Sequence, residues 1–348
     1  MSTKKILVLL GALVLISSLL LSACAAQPGP AGPAGPAGPA GAAGPAGAAG
    51  APGAAAPDLT CKECHNNAGL VATKMAGWEV SKHGSGTAMA EEYGNKSCAF
   101  CHSGNSFQAA LVAGKNFSNL DAGASEPSRQ DCYTCHNIHT TYTKADFGLK
   151  TATAVQLVVS KDKTFDGGKG NLCVNCHQAR RWMANFVDKT DATKFAVTAR
   201  FNTHYSAQSD VMMGLVDVGT ALGVKGTASP HMAVTDTCVG CHLGEAKNHT
   251  FKAQLSTCVK CHADATSTDV KSFSTDLAAK VKTLEDALVA KKLITQGAEG
   301  MAAVPGSYDA KTSGAIFAYF LYEEDGSLGA HNPAYISALV DAAIAVVK

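Results

Sequence analysis

The sequence predicts a mainly α-helical protein with little β structure, organised around bound groups and completed by helices at its C-terminus. Three observations predict this class. Aromatic residues make up only 6% of the 348 residues and 34 residues are glycine, so side chains alone would form a weak core. Five-residue Cys-x-x-Cys-His segments recur six times between residues 61 and 262. Beyond residue 267, apolar residues recur at helical spacing.

Residues 1–23 have the pattern of an export signal. Lys4 and Lys5 precede an apolar run over residues 6–21, which is shorter than the roughly 20 residues of a membrane span. The following Ala23-Cys24 step is similar to the cleavage site of bacterial lipoproteins, so we expect lipidation of Cys24. Alanine at positions 25 and 26 is typical of lipoproteins of the outer membrane. We therefore predict an exported protein held to the outer membrane by a lipid anchor.

Residues 24–57 form a linker with a collagen-like period. Glycine occupies every third position from Gly29 to Gly53, as in collagen triple helices. Few of these triplets carry proline in the third position, which favours an extended tether over a stable triple helix. At about 3.1 Å per residue, such a tether would span up to about 90 Å. A trimer formed by this tract, or a filament of haem domains, is the alternative assembly.

The six Cys-x-x-Cys-His segments, called pentads here, predict covalent attachment of six haems c. Two cysteines three positions apart lie on one helical turn, where both sulfurs can form thioethers with one porphyrin. The adjacent histidine then becomes the proximal iron ligand. The attachment cysteines are Cys61, Cys64, Cys98, Cys101, Cys132, Cys135, Cys173, Cys176, Cys238, Cys241, Cys258 and Cys261. The proximal histidines are His65, His102, His136, His177, His242 and His262.

Other uses of paired cysteines fit this pattern less well. Zinc sites also use Cys-x-x-Cys pairs, but they do not need a histidine directly after the second cysteine each time. Redox-active cysteine pairs occur singly, and a disulfide framework would not need the histidines. The pentads account for all 13 cysteines except Cys24.

The distal ligand decides between electron transfer and catalysis, because an open iron position can bind a substrate. Six of the 12 histidines remain outside the pentads, one for each iron. These distal candidates are His83, His139, His204, His231, His249 and His331. Continued helicity beyond the third pentad would carry His139 to a neighbouring haem, and Asn332-Pro333 would place His331 at a helix entrance. Methionine is an alternative ligand, at Met75, Met89, Met183, Met212, Met213 or Met232.

Several stretches together resemble the superfamily of multihaem cytochromes related to nitrite reductase and hydroxylamine oxidoreductase. They are Trp78-x-x-Ser81-x-His83, Cys176-His177-Gln178-x-Arg180, His204 with Gln208, Asp210 and Gly214, residues 231–262, and residues 325–333. The resemblance implies closely packed haems, a mainly helical fold, and distal roles for His83, His204, His231, His249 and His331. The chain also departs from the family. All six pentads end in His, where ammonia-forming nitrite reductases have one ending in Lys, and hydroxylamine oxidoreductases carry eight haems. The resemblance therefore does not transfer the family's catalysis.

We predict an electron carrier rather than an enzyme. Its partners would be redox proteins or an extracellular electron acceptor, at the cell surface rather than the periplasmic face. That placement rests on an architecture similar to the lipid-anchored surface cytochromes of metal-respiring bacteria. The alternative is a reductase of a small nitrogen or sulfur oxyanion with one open iron. No basic stripe indicates nucleic-acid binding, since the formal charge is only +1.

Residues 58–266 are predicted to form the haem domain of short helices and loops, and residues 267–348 a helical segment packed on it. A strand is expected within residues 154–160. Leu277, Val281, Leu284 and Leu288 predict one apolar face of a helix over residues 273–294. Further helices are expected over 310–323 and from Pro333 to the end, with a loop around Gly297 and Gly300.

Overall fold

The computed structural model describes residue 65 and residues 71–86, 96–117, 127–298 and 300–348. The chain divides into two units, Met1–Gly53 and Ala54–Lys348, and all described residues lie in the second. The predicted export signal, the lipidated Cys24, the Gly-X-Y linker, Cys61, Cys64 and Met89 lie outside the described residues, so these interpretations stay predictions.

Short helices carry the second to sixth pentads, because each of these closes one helical turn. In the third, fourth and sixth pentads the histidine N–H donates to the carbonyl of the first cysteine at 2.8–2.9 Å. This turn directs both thiols to the same side, as predicted. The helices of the described haem region are α1 (Ala72–Glu79), α2 (Lys82–Ser85), α3 (Lys96–His102), α4 (Gly104–Val112), α5 (Cys132–Cys135), α6 (Asn171–Val174), α7 (Gln208–Met213), α8 (Val218–Leu222), α9 (Cys238–His242) and α10 (Leu255–Cys258).

The β structure of the described residues is limited to three two-stranded antiparallel ribbons. In the first, Val155 pairs with Phe165, which confirms a strand in the predicted place but shorter than expected. In the second, Val197 pairs with Gly306, and in the third Ile294 pairs with Ala303. The strands are β1 (Val155–Gln156), β2 (Thr164–Phe165), β3 (Lys194–Val197), β4 (Ile294–Gly297), β5 (Gly300–Ala303) and β6 (Gly306–Asp309).

Three long helices form the C-terminal part of the chain, α11 (Phe273–Ala290), α12 (Ala310–Asp325) and α13 (Pro333–Val347). All four leucine and valine positions of the predicted apolar face on α11 are buried. The three helices share their core with the preceding chain, since the Phe201 and Phe317 rings lie 5.2 Å apart. The largest buried apolar cluster of the described residues is here, and only small clusters lie beside the pentads.

Two local predictions were wrong. Helicity does not continue past the third pentad. α5 ends at Cys135 and His136 is extended, while His139 has a φ of +57°. The turn that carries it is held by the buried carboxylate of Asp146, which accepts from the N–H groups of Thr141 and Tyr142. Hydrogen bonds from the following turn to Asp146, rather than helix propagation, therefore place His139.

The helix predicted over residues 273–294 ends earlier, at Ala290. Lys292 has a φ of +58°, and the chain then turns so that Ile294 is buried in the ribbon of β4 and β5. Gly297 and Gly300, expected in a loop, end the paired strands, and Gly300 has a φ of +120° that favours glycine. In the described part of the chain, no helix is both long and apolar enough to cross a membrane.

Candidate haem-binding sites

One large cavity occupies the region between the pentads. Its volume of about 2860 Å³ is several times the roughly 300–1,000 Å³ of a single small-molecule pocket. Nine cysteines of the pentads and ten of the 12 histidines line it. None of the ten cysteines that the structure describes forms a disulfide. The cavity therefore has the size and the donor atoms for several porphyrins.

Each pentad histidine faces a different histidine from outside the pentads. The ring centroids of the six pairs are 5.9–6.4 Å apart. We number the pairs by pentad. Site 1 is His65 with His139, site 2 is His102 with His204, site 3 is His136 with His249, site 4 is His177 with His83, site 5 is His242 with His331, and site 6 is His262 with His231. Each of the six distal candidates thus occurs in one pair, and the structure gives the pentad histidine that it faces.

The spacing fits a metal ion between the two rings. Metal–imidazole bonds are about 2.0–2.1 Å long, and a ring nitrogen lies about 1.1 Å from its ring centre, so two imidazoles on opposite sides of one ion have centroids about 6.3 Å apart. Directly packed rings can approach closer, as His83 and Phe251 do at 4.7 Å. The donor set and its spacing therefore fit haem iron with two histidine ligands.

Hydrogen bonds at Nδ1 orient seven of these histidines. His136, His231, His242 and His249 donate to the backbone carbonyls of Phe147, Ala330, Phe251 and Lys247 at 2.7–2.8 Å. The Nδ1 of His177 lies 3.2 Å from the Gln208 amide oxygen, that of His139 lies 2.9 Å from the Tyr133 hydroxyl, and that of His331 lies 2.7 Å from Asp325. A donor role for Nδ1 leaves Nε2 available for a metal.

Burial keeps several of these imidazoles neutral, which is the form that binds metals. Desolvation, followed by the charge of His177, lowers the pKa of His83 to about 4. Desolvation also lowers the pKa values of His177, His242 and His249. His331 differs. Burial opposes its protonation, but the Asp325 carboxylate outweighs this and raises its pKa.

The distal histidine of site 2 has a distinct environment. Nε2 of His204 lies 3.2 Å from Nη1 of Arg180, and the guanidinium of Arg180 also lies over the Phe117 ring at 4.6 Å. Desolvation, then the charges of Arg180 and Arg181, lower the pKa of His204 to about 4. Binding of iron through Nε2 would require this arginine to move aside.

Contacts between pentads connect neighbouring sites. The sulfur atoms of Cys101 and Cys176 are close enough to interact, and so are those of Cys173 and Cys238. The interaction with Cys101, followed by desolvation, raises the pKa of Cys176. Sites 2 and 4, and sites 4 and 5, are therefore adjacent through their attachment cysteines.

Sequence reasoning missed the role of Phe251. Its ring lies 4.7 Å from that of His83 and 5.9 Å from that of His249, and its carbonyl accepts from His242. One residue thus touches histidines of sites 3, 4 and 5. Its neighbour His249 was a distal candidate, but neither local spacing nor residue type marked the phenylalanine.

Residues 51–137 match the family model of cytochrome c7 and related cytochrome c, a region that contains the first three pentads. The crystal structure of the outer cell wall cytochrome OcwA is similar to this chain, with 18% identity and a TM-score of 0.49. That match covers 79% of this chain and 50% of the OcwA chain, so this chain spans about half the length of OcwA. No curated protein matches. The family match, together with the recurrence of the same pentad beyond residue 137, supports a multihaem c-type cytochrome.

Proposed function

We propose that this protein transfers electrons through six haems c, each held by the two cysteines of one pentad and by the two histidines of one site. The observation that carries the proposal is the set of six separate histidine pairs at the spacing of a bridging metal ion. Haem iron with two strong axial ligands accepts and releases one electron without binding substrate. If each histidine pair binds one iron, no iron keeps an open position for an oxyanion, which favours the carrier over a reductase.

Contacts between the sites suggest their order. His136 and His139 lie on one short segment, which joins sites 1 and 3. Phe251 connects sites 3, 4 and 5, and His231 donates to the carbonyl of Ala330, next to His331, which joins sites 5 and 6. The order is then 1, 3, 4, 5, 6, with site 2 as a branch at site 4.

Site 1 is the candidate terminus for exchange with a partner. His65 and His139 are both exposed, whereas the other ten histidines are at least partly buried. The side chains of Tyr133 and Tyr142 beside His139 are 40% and 55% exposed, and the Tyr142 ring stacks on that of His139. We propose a redox protein or an extracellular acceptor as the partner there, with the protein anchored at the outer membrane through Cys24.

Haem quantitation combined with low-temperature electron paramagnetic resonance tests the proposal. We expect six haems per chain by mass spectrometry, all low-spin in the ferric state, and no carbon monoxide binding by the native reduced protein. One high-spin haem that binds carbon monoxide would contradict full bis-histidine ligation and favour the reductase. Fewer than six thioether-linked haems would overturn the assignment of the pentads.

A further inference from the structure

Site 5 differs from sites 1, 3 and 6 in the group that accepts the Nδ1 proton of its distal histidine. Of the seven histidines with an Nδ1 partner given above, six face a neutral carbonyl, amide or hydroxyl oxygen. His331 alone among them faces a carboxylate, with Nδ1 2.7 Å from Oδ1 of Asp325. Such a charge-assisted hydrogen bond is stronger than one to a neutral acceptor.

The carboxylate is held in place and withdrawn from solvent. Asp325 is 3% exposed and its Oδ2 accepts from the hydroxyl of Ser327. The same hydroxyl accepts from the backbone N–H of His331 at 3.2 Å. Asp325, Ser327 and His331 thus form a closed set of hydrogen bonds, which fixes the carboxylate beside the backbone of His331.

The position of Asp325 adds to its charge. It is the last residue of α12, a helix of 16 residues, so the negative end of the helix dipole lies at the same place. Low local polarity strengthens both effects, because buried charges are poorly screened. A ferric iron at site 5 would gain from this negative potential, and a ferrous iron would gain less.

We propose that Asp325 gives the haem at site 5 the lowest reduction potential of the six. Partial transfer of the Nδ1 proton towards the carboxylate makes His331 a more basic ligand, and hydrogen bonding around a ligand is one of the means by which proteins set haem potentials. Reduction adds one electron from a partner and breaks no bond, so the carboxylate keeps its charge in both states. The inference rests on the proposed function, since it needs His331 as an iron ligand.

The decisive variant is Asp325→Asn, which keeps an oxygen acceptor of the same shape and removes the charge. We expect the lowest of six transitions in a spectroelectrochemical titration to move upward, with the other five unchanged. At the wild-type midpoint of that transition, the ratio of reduced to oxidised haem should rise on the order of tenfold, which is a shift of about 59 mV. One low-spin ferric signal should change its g values.

Asp309→Asn is the matched control. It makes the same chemical change at the opposite end of α12, where Asp309 accepts from the N–H groups of Lys311 and Thr312 as the helix N-cap. Asparagine is an equally good cap, so all six transitions should stay in place. A shift equal to that of Asp325→Asn would mean that the potentials respond to general changes in this helix, and the proposal would fail.

Gln208→Glu tests the same effect in the opposite direction. It can be measured even if the Asp325→Asn variant does not incorporate its haems. It places a carboxylate on His177 of site 4, and we expect one higher transition to move downward. Six intact haems with unchanged potentials in either variant would overturn the proposal. If the proposed function fails because His331 binds no iron, the result is different. The variant His331→Ala would then leave every haem low-spin and spectrally unchanged.

Discussion

The ligand histidines are held by atoms that the pentad pattern does not contain. The backbone carbonyls of Phe147, Phe251 and Ala330 orient three of them. Each carbonyl lies either far along the chain from the histidine that it binds or beside a different site. These hydrogen bonds select the Nε2 face for the metal and restrict rotation of the ring. Individual residues therefore determine how well each site is prepared for its haem.

Replacement of His83 by methionine should raise the potential of one haem. His83 faces His177 at 6.2 Å in site 4, and methionine as an axial ligand raises haem potentials relative to histidine. A redox titration should show one transition at higher potential and five unchanged, with six haems still attached. Glu79→Met, at an exposed position of the neighbouring helix α1, is the control and should shift none. An unchanged titration with His83→Met would exclude His83 as a ligand.

Asp210→Asn should change how stability depends on pH. Desolvation raises the pKa of Asp210 from 3.8 to about 6, although its carboxylate accepts from Ala179 N–H and Ser209. The native state thus binds this proton more tightly than the unfolded state. The stabilisation is complete below pH 3.8 and is lost as the pH rises through about 6.

Asparagine resembles the protonated acid and does not titrate. The free energy of unfolding of the variant, relative to wild type, should therefore increase by about 2 kcal/mol between pH 4 and pH 7. Urea titrations followed by far-ultraviolet circular dichroism would measure it. If the difference between the two proteins is the same at both pH values, Asp210 does not have a raised pKa.

Helices and ribbons bring the site 5 histidine to its place. Asn332 caps α13 by accepting from Tyr335 N–H, and its amide donates to the carbonyls of Val211 and Thr227 at 3.0 and 2.8 Å. It is 1% exposed. This one side chain joins the start of α13 to α7 and to the segment after α8, directly beside His331.

Asn332→Ala should destabilise the protein by about 2–4 kcal/mol, because it removes a helix cap and leaves two carbonyls without this donor. Asn332→Ser keeps an oxygen that can cap the helix and loses the amide that donates to the two carbonyls, so its effect should be intermediate if the cap contributes. Urea unfolding of both variants at neutral pH measures the difference. Stabilities within about 0.5 kcal/mol of wild type, the usual range of surface substitutions, would rule out this role.

At the scale of the whole molecule, the described protein has two kinds of interior. The C-terminal helices share a conventional apolar core around Phe201 and Phe317, whereas the region between the pentads is a cavity of about 2860 Å³. Haems would supply the missing apolar surface there, so we expect folding of the pentad region to depend on haem attachment.

The predicted lipid anchor determines where the whole molecule is located. Cys24→Ser should move the protein from the membrane fraction to the soluble fraction, because acyl chains would no longer be attached. Deletion of residues 27–57 with Cys24 retained should leave it membrane-bound, and its hydrodynamic size should stay that of a single chain if the Gly-X-Y tract is a tether. Membrane retention of Cys24→Ser would exclude lipidation at this residue.

The sequence by itself determined the mainly helical class, the pentads, the set of candidate distal histidines and the apolar faces of α11 to α13. Each of these depends on spacing within a few residues, where a helical turn or a Cys-x-x-Cys-His segment has the same local geometry in any context. The end of α11 and the turn at His139 were mispredicted because they depend on β4 pairing and on Asp146.

Only the tertiary structure decided which histidine faces which pentad, and which atoms hold their Nδ1 protons. His83 and His177 are 94 residues apart, and His242 and His331 are 89 apart, so no local pattern relates them. Their pairing depends on how short segments pack around a shared cavity. The same holds for Asp325. Its carboxylate can have the proposed role only because the turn after α12 places His331 beside it.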